Sequence, residues 1–287
     1  MCDWDTEDVQ SIAETIRYQS TSAQAKVAFS QRKSAYLISA MLAGAYIGIA
    51  VILMLTAAGP FHQAGAPATA LVSGLTFSIA LSLVMVAGGE LVTSNMMTLT
   101  QGMTTRAISV GQGSLTMIFC FMANLLGGIV FGTFVFFSGV IKPGSGAFEY
   151  LGSYLNGKVS STPIELLFKA ILCNILVCLA IWSGLRLKSE GAKLFMIFLC
   201  LLAFITSGFE HVVANMTTFT LGMWLQVPGI GVGQFLHNLA IVGIGNLIGG
   251  MLVGLAYVHI SRREVLTLDT ATAEDTAQAG PSAHSAR

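Results

Sequence analysis

Charge is what this sequence has least of. Only 10% of its 287 residues are Asp, Glu, Lys or Arg, where soluble domains carry about 25%. With 54% hydrophobic residues, most of the chain is expected in lipid. An excess of either sign is missing too, with 14 basic against 14 acidic side chains, so no footprint for nucleic acid or an acidic partner is present. The five cysteines, Cys2, Cys120, Cys173, Cys178 and Cys200, show no Cys-x-x-Cys spacing, and histidines are few. No metal, redox centre or other cofactor is therefore expected, and the cysteines within apolar runs read as small packing residues.

What is present is a series of long apolar runs: 36–58, 70–87, 107–141, 163–187, 194–225 and 234–260. Most reach the roughly 20 residues that a membrane-crossing helix needs, which predicts an all-α integral membrane protein of six transmembrane helices. The first run follows a polar stretch of 33 residues and so is read as a retained span rather than a cleaved signal. Of the 14 Lys and Arg, eleven fall before span one, between spans two and three, between four and five, or after six. Lys142 and Lys158 lie on the opposite side, and Lys169 falls within span four. This bias predicts an inner (plasma) membrane protein with both termini cytoplasmic. Residues 1–33 form a cytoplasmic segment in which Val9, Ile12, Ala13 and Ile16 share one helical face, as on a surface-lying amphipathic helix. Residues 34–263 are the transmembrane domain, and 264–287 are expected to be a disordered tail.

The strongest signal is an internal repeat. Residues 88–103 (GGELVTSNMMTLTQGM) align without a gap to 208–223 (GFEHVVANMTTFTLGM), with 9 identities in 16 positions, and Asn124-Leu-Leu-Gly-Gly pairs with Asn246-Leu-Ile-Gly-Gly. Each half, 34–141 and 160–262, has three spans. Three is odd, so the halves are expected to have inverted topology, the arrangement that places a transport site at the repeat interface. Glycine and polar residues interrupt spans two and five in both repeated segments, which predicts helices broken at mid-membrane around a cavity. Restarted half-helices would aim two positive ends at one centre and favour an anion. Ser94, Asn95 and Asn215 are candidate caps.

His211 is the one histidine predicted near the centre, and its counterpart in the other half is Leu91. Intramembrane ionisable groups usually face a pathway, so His211 is the candidate for attracting an anion or moving a proton. Glu90 and Glu210 match across the repeat and are expected to accept hydrogen bonds from backbone N–H groups freed at the breaks; a proton relay is the alternative. Lys169 is expected to pair with Glu165 one turn away or to place charge at the outer vestibule. Lys158, in the loop before span four, is either solvated or draws anions. A haem carrier would need a second deep histidine, and a water channel's Asn-Pro-Ala pair is absent. An intramembrane hydrolase using Thr93 or Ser94 with His211 stays open on sequence alone.

Residues 88–95, 172–182, 207–216 and 245–250 closely resemble signatures of the formate/nitrite transporter family, in order and over residues 5–262. The resemblance implies an aquaporin-like subunit, a homopentamer with one pore per subunit, and no enzymatic activity. It also implies pore-centre roles for His211, Thr93, Asn174 and Asn246, apolar constrictions at Phe77, Leu81, Leu91, Val92, Val177 and Phe204, and a vestibule role for Lys158. Residues 40–48, 199–211 and 215–217 look more like the nitrite branch. That implies nitrite as substrate, with formate and then hydrosulfide as alternatives, crossing as the weak acid after taking a proton.

Overall fold

The structure is a computed structural model that describes residues 9–278, with side chains described through Ser261. Cys2 and residues 279–287 of the expected tail lie outside the described residues. Among those described there is no strand, only an isolated bridge between Val9 and Leu187. Five helices are long and apolar enough to cross a membrane: α2 (Lys33–Gln63), the run Thr69–Gly88, α6 (Val110–Ser138), α8 (Pro163–Arg186) and the first part of α11 (Val232–Gln278). The remaining expected span, the fifth (194–225), begins as α9 (Glu190–Thr206), an apolar helix of 17 residues that stops short because the second interruption follows it. Outward faces carry Leu115, Phe134, Phe137 and Ile164, each exposed on two-thirds or more of its surface. Such continuous apolar exposure suits lipid or a neighbouring subunit.

The interruptions are not kinks in the middle of a span. The first run comprises α3 (Thr69–Phe77), α4 (Ile79–Leu83) and a π-helical turn over Val84–Gly88. It lies antiparallel to α9: Ser78 Oγ donates to Phe198 O (3.2 Å), and Thr206 Oγ1 donates to Ala70 O (3.5 Å). The far end of α9 therefore reaches the start of α3, well past the centre. Each helix then ends on a glycine at positive φ, Gly88 (84°) and Gly208 (70°), a conformation open to glycine without steric cost. The chain doubles back through extended residues, and α5 (Val92–Thr104) and α10 (Val212–Trp224) begin at the centre. This is why the matched glycines stand in both repeats.

Close helix packing sets the frame. A Cβ on Gly127 of α6 would fall on Met41 O of α2, and one on Gly44 of α2 on Asn124 O of α6. Gly127→Ala is expected to force the two helices apart at a cost of about 1–3 kcal/mol, read as a lower unfolding temperature in detergent.

The amphipathic segment forms α1 (Ile12–Gln31), started by a capping box in which Ser11 and Glu14 satisfy each other's backbone N–H groups. Its Ala13 and Ile16 are buried. The loop expected after span three contains α7 (Gly146–Ser160), capped by Ser145. At the other end, α11 runs on to Gln278 through residues expected to be unfolded. Once a helix is nucleated, each added residue costs little, so a tail of modest propensity can extend it.

Candidate functional site

The two interruptions meet at one contact. His211 is the N-cap of α10, and its Nδ1 accepts from Ala214 N–H at 3.2 Å. That bond assigns the proton of the neutral ring to Nε2, which donates to Thr93 Oγ1 at 3.1 Å. From this contact α5 runs outward until Gly102 meets Ala23 of α1, while α10 runs the opposite way until Gly222 meets Leu155 of α7. Two helix N-termini thus diverge from a common point, placing positive dipole ends about it. The cap is His211 itself; Asn95 and Asn215 point elsewhere, and Ser94 Oγ has no partner among the described residues.

Beside His211 is a cavity of only about 10 Å³, lined by Phe77, Leu81, Leu91, Val177 and Phe204 together with Ile47, Ala80 and Leu201. The Phe77 and Phe204 rings sit edge to face at 5.7 Å, and Phe204 stacks on the His211 ring at 6.0 Å. Ile47 and Leu201 were not singled out from sequence, where nothing distinguishes them from other apolar helix residues. Val92 is not part of this cavity. It is the first residue of α5 and faces a separate apolar groove with Met96, Phe121 and Leu247.

The interruptions are held by asparagines rather than by the glutamates. Asn246 donates to Ala170 O (2.7 Å) and Glu210 O (2.9 Å) and accepts from Val212 N–H (2.9 Å). Asn124 makes the same three bonds, to Ala40 O (2.7 Å), Glu90 O (2.8 Å) and Val92 N–H (2.9 Å). Asn246 is therefore a clamp, with both amide N–H groups held by backbone carbonyls and its Oδ1 holding a backbone N–H. Replacing Asn246 or Asn124 by Leu would orphan buried backbone groups, each at a cost of about 1–3 kcal/mol. Both variants are expected to lose stability to a similar extent, measured by thermal unfolding in detergent. Asn174, by contrast, donates to Thr93 O (3.2 Å) and Asn246 O (2.6 Å) and keeps an unpartnered Oδ1.

Glu90 and Glu210 do not take up freed backbone N–H groups. Glu90 binds Lys26 of α1 through both carboxylate oxygens (2.9 and 2.8 Å) and accepts from Asn95 Nδ2 (2.9 Å). Glu210 binds Lys158 of α7 (2.8 Å) and accepts from Asn215 Nδ2 (2.8 Å). The carboxylates are acceptor-only, and a lysine and an amide satisfy them, while at the breaks the asparagines hold Val92 and Val212 N–H and the carbonyls of Ser39 and Lys169 hold Glu90 and Glu210 N–H. Lys158 is buried, with its Nζ also over the Tyr154 ring at 4.2 Å, so it is not a solvated loop residue. Lys26 was missed from sequence; the matched glutamates, each needing a cation, and the lysine at the equivalent place before span four are the signals that point to it. Lys169 donates to Ser161 Oγ (3.1 Å), while Glu165 turns back to cap Thr162, so these two form no ion pair.

An all-helical membrane protein whose two half-helices start at a His–Thr contact beside an apolar constriction has the form of a transporter or channel. The chain belongs to the formate/nitrite transporter family: the family's profile matches residues 13–259. It is 39% identical over 235 residues to the "Nitrite transporter NirC" of Escherichia coli (strain K12), covering 77% of this chain and 82% of that protein. Among solved structures it is similar to an "FNT family ion channel" (TM-score 0.80, 35% identity, 86% of this chain and 98% of the other). It is also similar to a "Pentameric formate channel with formate bound" (TM-score 0.67, 26% identity, 84% and 98%).

Proposed function

We propose that this chain conducts a small monovalent weak-acid anion, nitrite first and formate or hydrosulfide as alternatives, through a pore centred on His211. The observation that carries the reading is the Thr93–His211 contact at the origin of two diverging half-helices, set against an apolar constriction. The helix ends favour an anion nearby, but the constriction is too narrow and too apolar for a hydrated one. Stripping an ion of water costs several kcal/mol, whereas a neutral acid pays far less. The substrate therefore crosses protonated. Nδ1 of His211 is already an acceptor for Ala214, so a proton taken there would displace the cap and put a cation at the positive end of α10. His211 acts instead as a neutral Nε2–H donor, with the substrate's proton coming from vestibule water. Thr93, Asn174, the Glu90 and Glu210 networks and the eight apolar cavity residues position and line this path.

The likeness to a nitrite transporter favours nitrite, and the likeness to a pentameric channel favours a homopentamer with one pore per subunit. The lysine and arginine bias supports an orientation in the inner membrane with α1 and α11's far end on the cytoplasmic side. The test is uptake into proteoliposomes of nitrite, formate and hydrosulfide at one pH. Nitrite is expected to enter fastest. No uptake of any of the three would overturn the reading, and fastest uptake of formate would replace nitrite with formate.

A further inference from the structure

The two halves differ on their outer surfaces. In the first half an apolar groove of about 750 Å³ runs between α5, α6 and the middle of α11, with Val92, Met96, Phe121, Leu247 and Leu255 on its wall. We propose that this groove seats an acyl chain of an anionic phospholipid whose headgroup phosphate binds Arg106.

The groove has the length of one leaflet. On α6 its wall runs from Val110 to Phe121, about 16 Å of helix, against about 15 Å for half the hydrocarbon core of a bilayer. Its inner end is Val92, whose N–H is held by Asn124 of α6 where α5 begins at the centre. Its outer end is the turn over residues 105–109, on which Arg106 is exposed and forms no ion pair among the described residues. Met103, Met117 and Met251 also face the groove, and unbranched thioether side chains adapt to a flexible chain.

The second half supplies the comparison. α5 and α10 are matched helices of 13 residues that end on Thr104 and Trp224. Trp224 lies over α6, its Nε1 donating to Thr133 Oγ1 at 3.1 Å and its ring 6.0 Å from that of Phe136. With Asn124 set against Asn246, Thr133 corresponds to Leu255 on the groove wall. The indole therefore covers in one half the face that Thr104, a much smaller side chain, leaves open in the other. Two residues further on, both turns take the same left-handed backbone, at Arg106 (φ 62°) and Gln226 (φ 54°). Only the half with the open groove carries a cation there.

Opening and charge thus occur together. A guanidinium binds a phosphate through two parallel hydrogen bonds, and an anionic headgroup, unlike a zwitterionic one, brings no competing cation of its own. A second copy of the chain, docked through an apolar face, would leave Arg106 without a partner. The seated acyl chain packs on Val92 and Met96, bracing the first turn of α5 that also carries Thr93.

The test is native mass spectrometry of the purified full-length protein in detergent, supplied with phosphatidylglycerol or with phosphatidylcholine of the same acyl chains. Phosphatidylglycerol is expected to be retained at least threefold more than phosphatidylcholine. Arg106→Gln should abolish that preference, and Thr104→Trp should lower retention of both lipids at least threefold. The two substitutions give the first half the residues the second half already carries at the same backbone positions, and either one tests the proposal if the other does not fold. Equal retention of the two lipids by the wild type, a preference that survives in Arg106→Gln, or retention unchanged in Thr104→Trp would overturn it. So would a wild type that holds neither lipid while Thr104→Trp separates the subunits, which would make the groove a contact between copies of the chain.

Discussion

Uptake of nitrite into proteoliposomes is expected to rise about tenfold for each unit by which pH falls from 7.5 towards 5.5, since the protonated fraction of a weak acid rises by that factor far above its own pKa. The expectation follows from the constriction rather than from His211 titrating. Phe77, Leu81, Leu91, Val177 and Phe204, with Ile47, Ala80 and Leu201, line a cavity of about 10 Å³, at the lower edge of the roughly 10–15 Å³ of such space that seats a single water molecule. An anion would have to shed its shell there. His211→Leu removes the cap of α10, worth about 1 kcal/mol, and the Nε2–H bonded to Thr93. Uptake is expected to fall at least tenfold while the steep pH profile survives in what remains. His211→Asn retains a capping side chain and should recover stability but not rate. A flat pH profile accompanied by current in the wild type would show that the bare anion crosses.

The second large effect separates two ion pairs that the sequence repeat makes look alike. The Lys158 and Glu210 side chains are 3% and 6% exposed, against 21% and 13% for Lys26 and Glu90. Removing one partner of a buried pair leaves an uncompensated charge and costs about 3–5 kcal/mol, whereas a lysine with access to water can turn outward at a cost of about 1 kcal/mol. Glu210→Ala should therefore lower the unfolding temperature far more than Glu90→Ala. The double variant Lys158→Met/Glu210→Leu should recover most of the loss, because an apolar pair of similar volume avoids the desolvation of both charges. Thermal unfolding followed by size-exclusion chromatography gives the comparison. Equal losses at the two glutamates would mean that the difference in burial does not govern their contribution.

The sequence by itself determined the solvent, the all-helical class and the repeat, because each is a matter of composition and spacing; that the fifth apolar run divides into two shorter helices was decided by the fold. A chain with so little charge must bury itself in lipid, and 9 identities in 16 aligned positions make the two interruptions one motif. Position against the repeat also singled out His211, facing Leu91 in the other half. Which atoms meet was decided by tertiary structure alone. Thr93 and His211 are 118 residues apart and belong to non-identical positions of the two repeats, so only the folded arrangement brings them to 3.1 Å. The same holds for Lys26, Asn124 and Asn246, whose partners lie on other helices, and for the glutamates, whose carboxylates turned to lysines once asparagines held the backbone. Periodicity records which face of a helix is apolar. It does not record which side chain of another helix arrives first at a free N–H, and that competition sets the chemistry of the centre.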